Sequence, residues 1–186
     1  MLFSKQFSLQ AAEDFARFYD TAHLSLFRYV MVLCAGNQAE AEDITAEAFI
    51  RAWEKRQQFS GSAPAALGWV ITIARNLLID RRRSEGTHPV EAALDETLAD
   101  AAVGQSSIEA ILIHDDQLQQ ALAAIQGLTL PQREIITLRF VLGWRVKAIA
   151  SHLGLAENTV SVDLRRALAK LQAQLAPQEI TARRTV

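Results

Sequence analysis

Apolar positions recur at three- and four-residue steps along most of this chain, and the breaks between runs divide it into elements. From about Ala11 to Ala35, the residues Phe15, Phe18, Tyr19, Leu26, Phe27, Val30, Leu33 and Cys34 trace a wide stripe, as on one amphipathic helix or two abutting ones. Gly36 and Asn37 stop it, because both tolerate the left-handed backbone that ends helices. A second helix is expected from about Ala39 to Gln57, with Ile44, Ala48 and Trp53 facing inward and Glu40, Glu42, Asp43, Glu47, Arg51 and Lys55 outward. "FSGSAP" (59–64) has loop composition and leads through Ser62 or Ala63 into a third helix, with Pro64 in its first turn.

That third segment, "GWVITIARNLLIDRRRS" (68–84), has local strand propensity in its β-branched residues. Against a strand, Trp69, Ile73, Leu77 and Val70, Ala74, Leu78 continue at four-residue steps for three turns, and no partner strand is apparent. It reads as a helix running into three arginines. Periodicity then dissolves from Ser84 to about Gln105, an acidic connector without a basic residue. It resumes at Ser107, where Ile108, Ile111, Leu112, Leu118, Leu122 and Ile125 mark a helix closed by Gly127. "TLPQ" (129–132) is a capping box, opening a helix with Ile135, Ile136, Leu138, Arg139 and Phe140 that ends at Gly143. Two more helices follow about a tight turn, and the tail from Pro177 lacks periodicity.

The fold class is therefore all-α: two small helical domains joined by an acidic linker, the C-terminal one a helix-turn-helix. The domains are expected at 1–83 and 107–175, with a linker at 84–106 and a loose tail at 176–186. Whether the two domains are splayed or closed is not written in the pattern.

Composition narrows the function. Half of the 186 residues are apolar, enough for a buried core. No run approaches the ~18 uncharged apolar residues of a transmembrane helix, and the start shows no signal-peptide pattern, so a cytoplasmic location without membrane insertion is expected. The single cysteine, Cys34, excludes an internal disulfide and a thiolate zinc cluster; among Val30, Leu33 and Ala35 it reads as a buried, inert thiol. His23, His88, His114 and His152 lie in separate segments without ligand spacing or a carboxylate pair beside them. No catalytic residue, metal or cofactor is expected, and the chain does not read as an enzyme.

The formal charge of −2 hides a segregation. Residues 1–83 hold ten basic against nine acidic side chains, residues 84–124 none against eight, and residues 125–186 nine against four. An acidic middle separates two parts that can each carry a basic face.

The strongest local signal is "VKAIASHLGLAENTVSVDLRRALAKL" (146–171). Ile149, Ala150 and Leu153 form one apolar face, Gly154 the sharp turn, and Leu155 a plug beneath it. Val160, Leu164, Ala167, Leu168 and Leu171 form the inner face of a longer helix, and a small residue is needed four places before the glycine, where the helices cross. This is helix-turn-helix spacing, with the second helix free to enter a major groove. Asn158, Thr159, Ser161, Arg165 and Arg166 fall on its outer side, with Arg145 and Lys147 placed to clamp phosphate. Asp163 repels phosphate, and accepts either from a cytosine amine or from a neighbouring arginine.

"EAEDITAEAFIRAWEK", then "GWVITIARNLLIDRRR", an acidic linker and the helix-turn-helix, in that order, resemble a bacterial extracytoplasmic-function sigma factor over roughly residues 12–83 and 107–173. The resemblance implies a factor that directs core RNA polymerase to promoter DNA. The helix with Asp43, Glu47, Arg51 and Trp53 would dock on the clamp coiled coil of the polymerase large subunit. Phe59, Trp69, Arg75, Asn76, Asp80, Arg81, Arg82 and Arg83 would serve the −10 element, the loop from Phe59 to Ala63 cupping an extruded base. Arg145, Lys147, Asn158, Thr159, Ser161, Arg165 and Arg166 would serve the −35 element, and a cognate anti-sigma factor is implied as a regulator. The pattern departs from the family at Ala46, where glutamine is usual, and at Ser161 and Asp163, where basic residues are frequent. Two rivals remain at this level: a free-standing helix-turn-helix regulator, and a sigma-like module that titrates an anti-sigma factor.

Overall fold

The computed structural model describes residues 7–84 and 123–175, and all regular structure among them is helical. The acidic connector, the helix expected after Ser107 up to residue 122, His88, His114 and the tail lie outside the described residues.

Helix α1 (Ala12–Leu33) buries Phe15, Phe18, Ala22, Leu26, Tyr29, Val30 and Leu33, a single stripe at three- and four-residue steps. Glu13 and Asp14 sit in its first turn, where carboxylates complement the positive end of the helix. It stops where expected: Ala35 (φ 54°) and Gly36 (φ 88°) are left-handed, and the Gly36 N–H returns to the Met31 carbonyl at 2.9 Å. Asn37 then starts α2 (Gln38–Glu54), its side chain accepting from the Glu40 N–H at 3.1 Å. Fully buried Ala41, Ala48 and Ala52 let α2 lie close against its neighbours. Trp53 corrects the expectation that it points inward: its ring is exposed at the end of α2, under the Arg56 guanidinium. A 3₁₀ turn (Arg56–Gln58) and a short loop lead to α3 (Ala63–Ser84), helical through the whole segment with strand propensity. Tertiary burial of Val70, Ile71, Ala74, Leu77 and Leu78 overrides that propensity.

Helix α4 (Leu130–Ile136) opens with the capping box, the Thr129 N–H donating to Gln132 Oε1 at 3.2 Å. It runs on into a wide π turn (Thr137–Val141), closed by the Leu142 N–H on the Thr137 carbonyl at 3.0 Å. The sequence pattern does not show this turn, in which Phe140 is 58 % exposed. After Gly143, α5 (Val146–Leu153) and α6 (Glu157–Leu175) form the helix-turn-helix about Gly154. Leu155 does not plug the turn; it is 41 % exposed, while its N–H closes on the Ala150 carbonyl at 2.9 Å.

The two helical units share one core. Ile135, Leu138, Ile149, Ala150 and Val160 belong to the same buried cluster as the interior of α1, α2 and α3. Leu128, Ile136 and Ala167, flanked by Leu164, Leu168 and Leu171, form a smaller cluster under α6. The chain is therefore closed, with α4 and the π turn seated on α1.

Candidate nucleic-acid interface

The helix-turn-helix owes its angle to Gly154, whose φ of 68° and ψ of 28° lie in the region closed to most side chains. Ala150, four residues earlier, is 3 % exposed, small enough for α6 to cross over it. Arg145 is the N-cap of α5; its carbonyl accepts from the Ala148 and Ile149 N–H groups at 2.9 and 3.0 Å, which leaves its side chain exposed beside that of Lys147. Asn158 and Thr159 are exposed on the first turn of α6, and Arg165 and Arg166 on a later one. Ser161 is half-buried and donates to the Glu157 carbonyl at 2.8 Å, so its hydroxyl is committed to its own helix. Asp163 is half-buried on the same helix.

Five of the seven residues expected on α3 fall on two rows. Gly68, Arg75 and Arg82 recur at seven-residue steps, and Trp69, Asn76 and Arg83 form a parallel row about 100° round the helix. Asn76, Asp80 and Arg83 are exposed. Phe59 and Trp69 are half-buried and packed on each other, ring centroids 5.1 Å apart, with Phe7 edge-on to Phe59 at 6.2 Å. Arg81 approaches Asp43 of α2 at 3.8 Å, a solvent-screened pair that contributes little. Arg82 turns back to donate to the Leu33 carbonyl at 3.0 Å.

Arg75 is engaged by the C-terminal unit. Its Nε lies 2.9 and 3.0 Å from the two carboxylate oxygens of Glu134, and the Tyr29 hydroxyl donates to the same carboxylate at 2.8 Å. Glu134 is 2 % exposed. The Tyr29 phenol is held in its protonated form, first by burial and then by the charge of Glu134 and the bond to it, against an opposing pull from Arg75. Beside this triad, a Cβ on Gly68 would meet the Trp144 ring at 3.5 Å and His152 Nδ1 at 3.7 Å, so two aromatic rings lie directly over the glycine. The His152 pKa is lowered from 6.5 by burial; Glu134 opposes that shift and Arg75 adds to it.

Tyr29 and Glu134 were absent from the expected site. The available signal was phase: Glu134 stands next to Ile135 and four residues before Leu138, on the inward side of α4. A carboxylate at such a position needs a buried partner.

The outer side of α2 mixes charge and apolar surface. Arg51 pairs with Glu47 at 2.6 Å, Asp43 is exposed, and Ala46, Ile50 and Trp53 form an exposed row alongside. The Arg56 guanidinium sits 3.6 Å above the Trp53 ring, tethered to the Trp53 and Gln10 carbonyls at 2.8 and 3.2 Å, and Phe15 meets that ring edge-on at 5.2 Å. Cys34 is buried, and burial with the nearby Glu40 charge pushes its thiol pKa well up. Among the described residues no group of histidine, cysteine and carboxylate side chains is arranged to hold a metal, and no helix is long and apolar enough to cross a membrane.

Two families match the chain in the order of its units: Sigma-70 region 2 over residues 19–87 and Sigma-70 region 4 over residues 118–171. The chain is similar to the ECF RNA polymerase sigma factor SigL of Mycobacterium tuberculosis, 33% identical over 163 residues that cover 88% of this chain and 89% of SigL. It is also similar to the ECF RNA polymerase sigma factor BldN of Streptomyces coelicolor, 32% identical over 170 residues, 90% of this chain and 62% of BldN. Among solved structures it resembles the sigma factor RpoE of Bartonella quintana in complex with the anti-sigma factor NepR, with a TM-score of 0.67 and 25% identity over 90% of this chain and 99% of RpoE. An α3 that ends in arginines, a helix-turn-helix turned on Gly154, and these matches together establish that the chain belongs to the ECF family of RNA polymerase sigma factors.

Proposed function

We infer that this sigma factor directs core RNA polymerase to promoters by two helical readers. Its N-terminal unit (1–83) uses the outer side of α2, with Asp43, Glu47, Arg51 and Trp53, for the polymerase. The same unit uses Phe59, Trp69, Arg75, Asn76, Asp80, Arg81, Arg82 and Arg83 for the −10 element. Its C-terminal unit (107–175) reads the −35 element through Asn158, Thr159, Arg165 and Arg166, with Arg145 and Lys147 on phosphate. Ser161 is a weaker member of that set because its hydroxyl is occupied within α6.

The observation that carries this reading is the exposed polar and basic set on α6, held out by the turn at Gly154 while Val160 and Ala167 anchor the opposite face. Arginines on α3 then have a physical role at melting strands, where they neutralise backbone charge, and unstacked bases held on aromatic surface contribute about 1–3 kcal/mol each. The factor acts in the cytoplasm and carries no catalysis of its own. An anti-sigma factor regulates it, a reading supported by the likeness to RpoE, whose structure holds one.

Run-off transcription with purified core enzyme and a genomic promoter library tests the proposal. Promoter-dependent initiation that requires the chain is expected. Core binding without initiation at any promoter would instead favour a titrating module, and specific duplex binding without polymerase a free-standing regulator.

A further inference from the structure

Gly68 and Arg75 of α3 meet the C-terminal unit, and beside the apolar seam of Ile135, Leu138 and Ile149 this part of the contact is polar. Glu134 carries a carboxylate to 2 % exposure between the units, and both its partners, Tyr29 and Arg75, come from the N-terminal unit. Around it Trp144 lies over Gly68, Arg133 reaches the Leu33 carbonyl at 3.4 Å, and Gln126 reaches the Ala35 carbonyl at 3.2 Å.

Burying the Glu134 carboxylate is costly, and the attraction of Arg75, whose own side chain stays 35 % exposed, offsets that cost only while its bond and that of Tyr29 are made. When the units separate, the Glu134 carboxylate regains water and Arg75 and Tyr29 lose their shared acceptor. The apolar seam supplies most of the resistance to opening, and the polar contact fixes the register in which the units close. That contact also satisfies Arg75 with the chemistry that nucleic acid would supply: a guanidinium holding a pair of anionic oxygens is the same recognition whether they belong to a carboxylate or a phosphate.

We propose that Glu134 is an intramolecular latch, which holds Arg75 and Tyr29 so that the free chain rests closed and the Gly68–Arg75 row of α3 is withheld from DNA until the C-terminal unit moves away. The proposal rests on reading α3 as the −10 helix, and adds to it a competition within the chain for one arginine. Closure lowers apparent affinity for DNA and polymerase by the fraction of chains that are open.

The test uses the full chain with Glu54→Cys and Gln172→Cys, both exposed positions, labelled for single-molecule energy transfer; buried Cys34 stays unlabelled. Glu134→Gln keeps the shape and removes the charge, and Tyr29→Phe removes the other partner's hydroxyl. With helicity retained, each is expected to enlarge the low-transfer, open population, Glu134→Gln by about tenfold, and to tighten core polymerase binding in proportion. An open population unchanged from the parent in both variants would overturn the latch. Should Glu134→Gln lose helicity, Tyr29→Phe alone decides. Energy transfer reads the free chain and needs no promoter, so opening in the variants with no initiation by the parent would support the latch and overturn the −10 reading instead.

Discussion

Arg82 of α3 and Arg133 of α4 donate to one acceptor, the Leu33 carbonyl, at 3.0 and 3.4 Å. Leu33 is the last residue of α1, where carbonyls have no partner within the helix and the axis carries partial negative charge. One arginine from each helical unit therefore caps the same helix end. Arg133 goes further, donating to the Leu128 and Gln126 carbonyls at 3.0 and 2.9 Å, and its pKa is lowered by burial and by the neighbouring charge of Arg82. Arg82 is thus claimed by α1 in the free chain, although the −10 element is its proposed destination.

Arg133→Ala is expected to lower unfolding stability by about 1–3 kcal/mol, because several half-buried carbonyls lose their donor at once. Arg133→Lys should recover only part of this, since an ammonium lacks the planar fork that reaches three acceptors. Urea titration followed by circular dichroism measures both.

Gly68 lies in the interior of α3, and a Cβ there meets Trp144 at an ordinary contact distance of 3.5 Å. Gly68→Ala should therefore stabilise the chain by about 0.5–1 kcal/mol through helix propensity. Gly68→Leu exceeds the space under Trp144 and should loosen the seat of the C-terminal unit. A thermal melt that shows no gain for alanine would mean that the two rings approach more closely than this distance.

His152 makes the closed form sensitive to acid. Its native pKa lies below 6.5, so the closed chain binds fewer protons than the open one as the pH falls through that value. The closed form is then at full stability above about pH 6.5 and loses stability as the pH falls from there through the lowered native pKa. The groups facing His152 are Arg75, whose charge reinforces the shift, and Glu134, whose charge opposes it. The open fraction should rise between pH 7 and pH 5, and His152→Gln should flatten that rise.

Arg165→Ala should weaken binding of the holoenzyme to its −35 element by about 1–3 kcal/mol and relax specificity there, whereas Lys147→Ala should weaken all sequences alike and reduce the salt dependence. Competition binding across −35 variants distinguishes the two. Identical ranking before and after the change at Arg165 would remove it from the reading set.

Most of the fold was legible because its signals are local. Gly36–Asn37, the Thr129–Gln132 box, and Ala150 with Gly154 each depend on a few neighbouring residues, and each stands where the pattern put it. Periodicity shows which side of a helix is covered, but not by what. Trp53 was read as inward because it is large and apolar, yet its ring finds cover from Arg56, three residues on. Leu155, expected beneath the turn, is likewise exposed. Tyr29 and Glu134 are 105 residues apart, and no local pattern encodes a pairing at that range. In the helix-turn-helix the outward position of Asn158, Thr159, Arg165 and Arg166 was legible from helical phase, whereas the engagement of Arg75 by Glu134 depends on a docking that only the packed chain displays.

The wide turn at Thr137–Val141 holds one more residue than an α-helical turn would, and so sets the phase of everything after it. Deleting one residue there would let the backbone tighten, rotating the chain beyond by roughly a quarter turn. Trp144 would then swing off Gly68, and α6 would point in a new direction. A single surplus peptide unit acts as the key that aligns the second helical unit with the first.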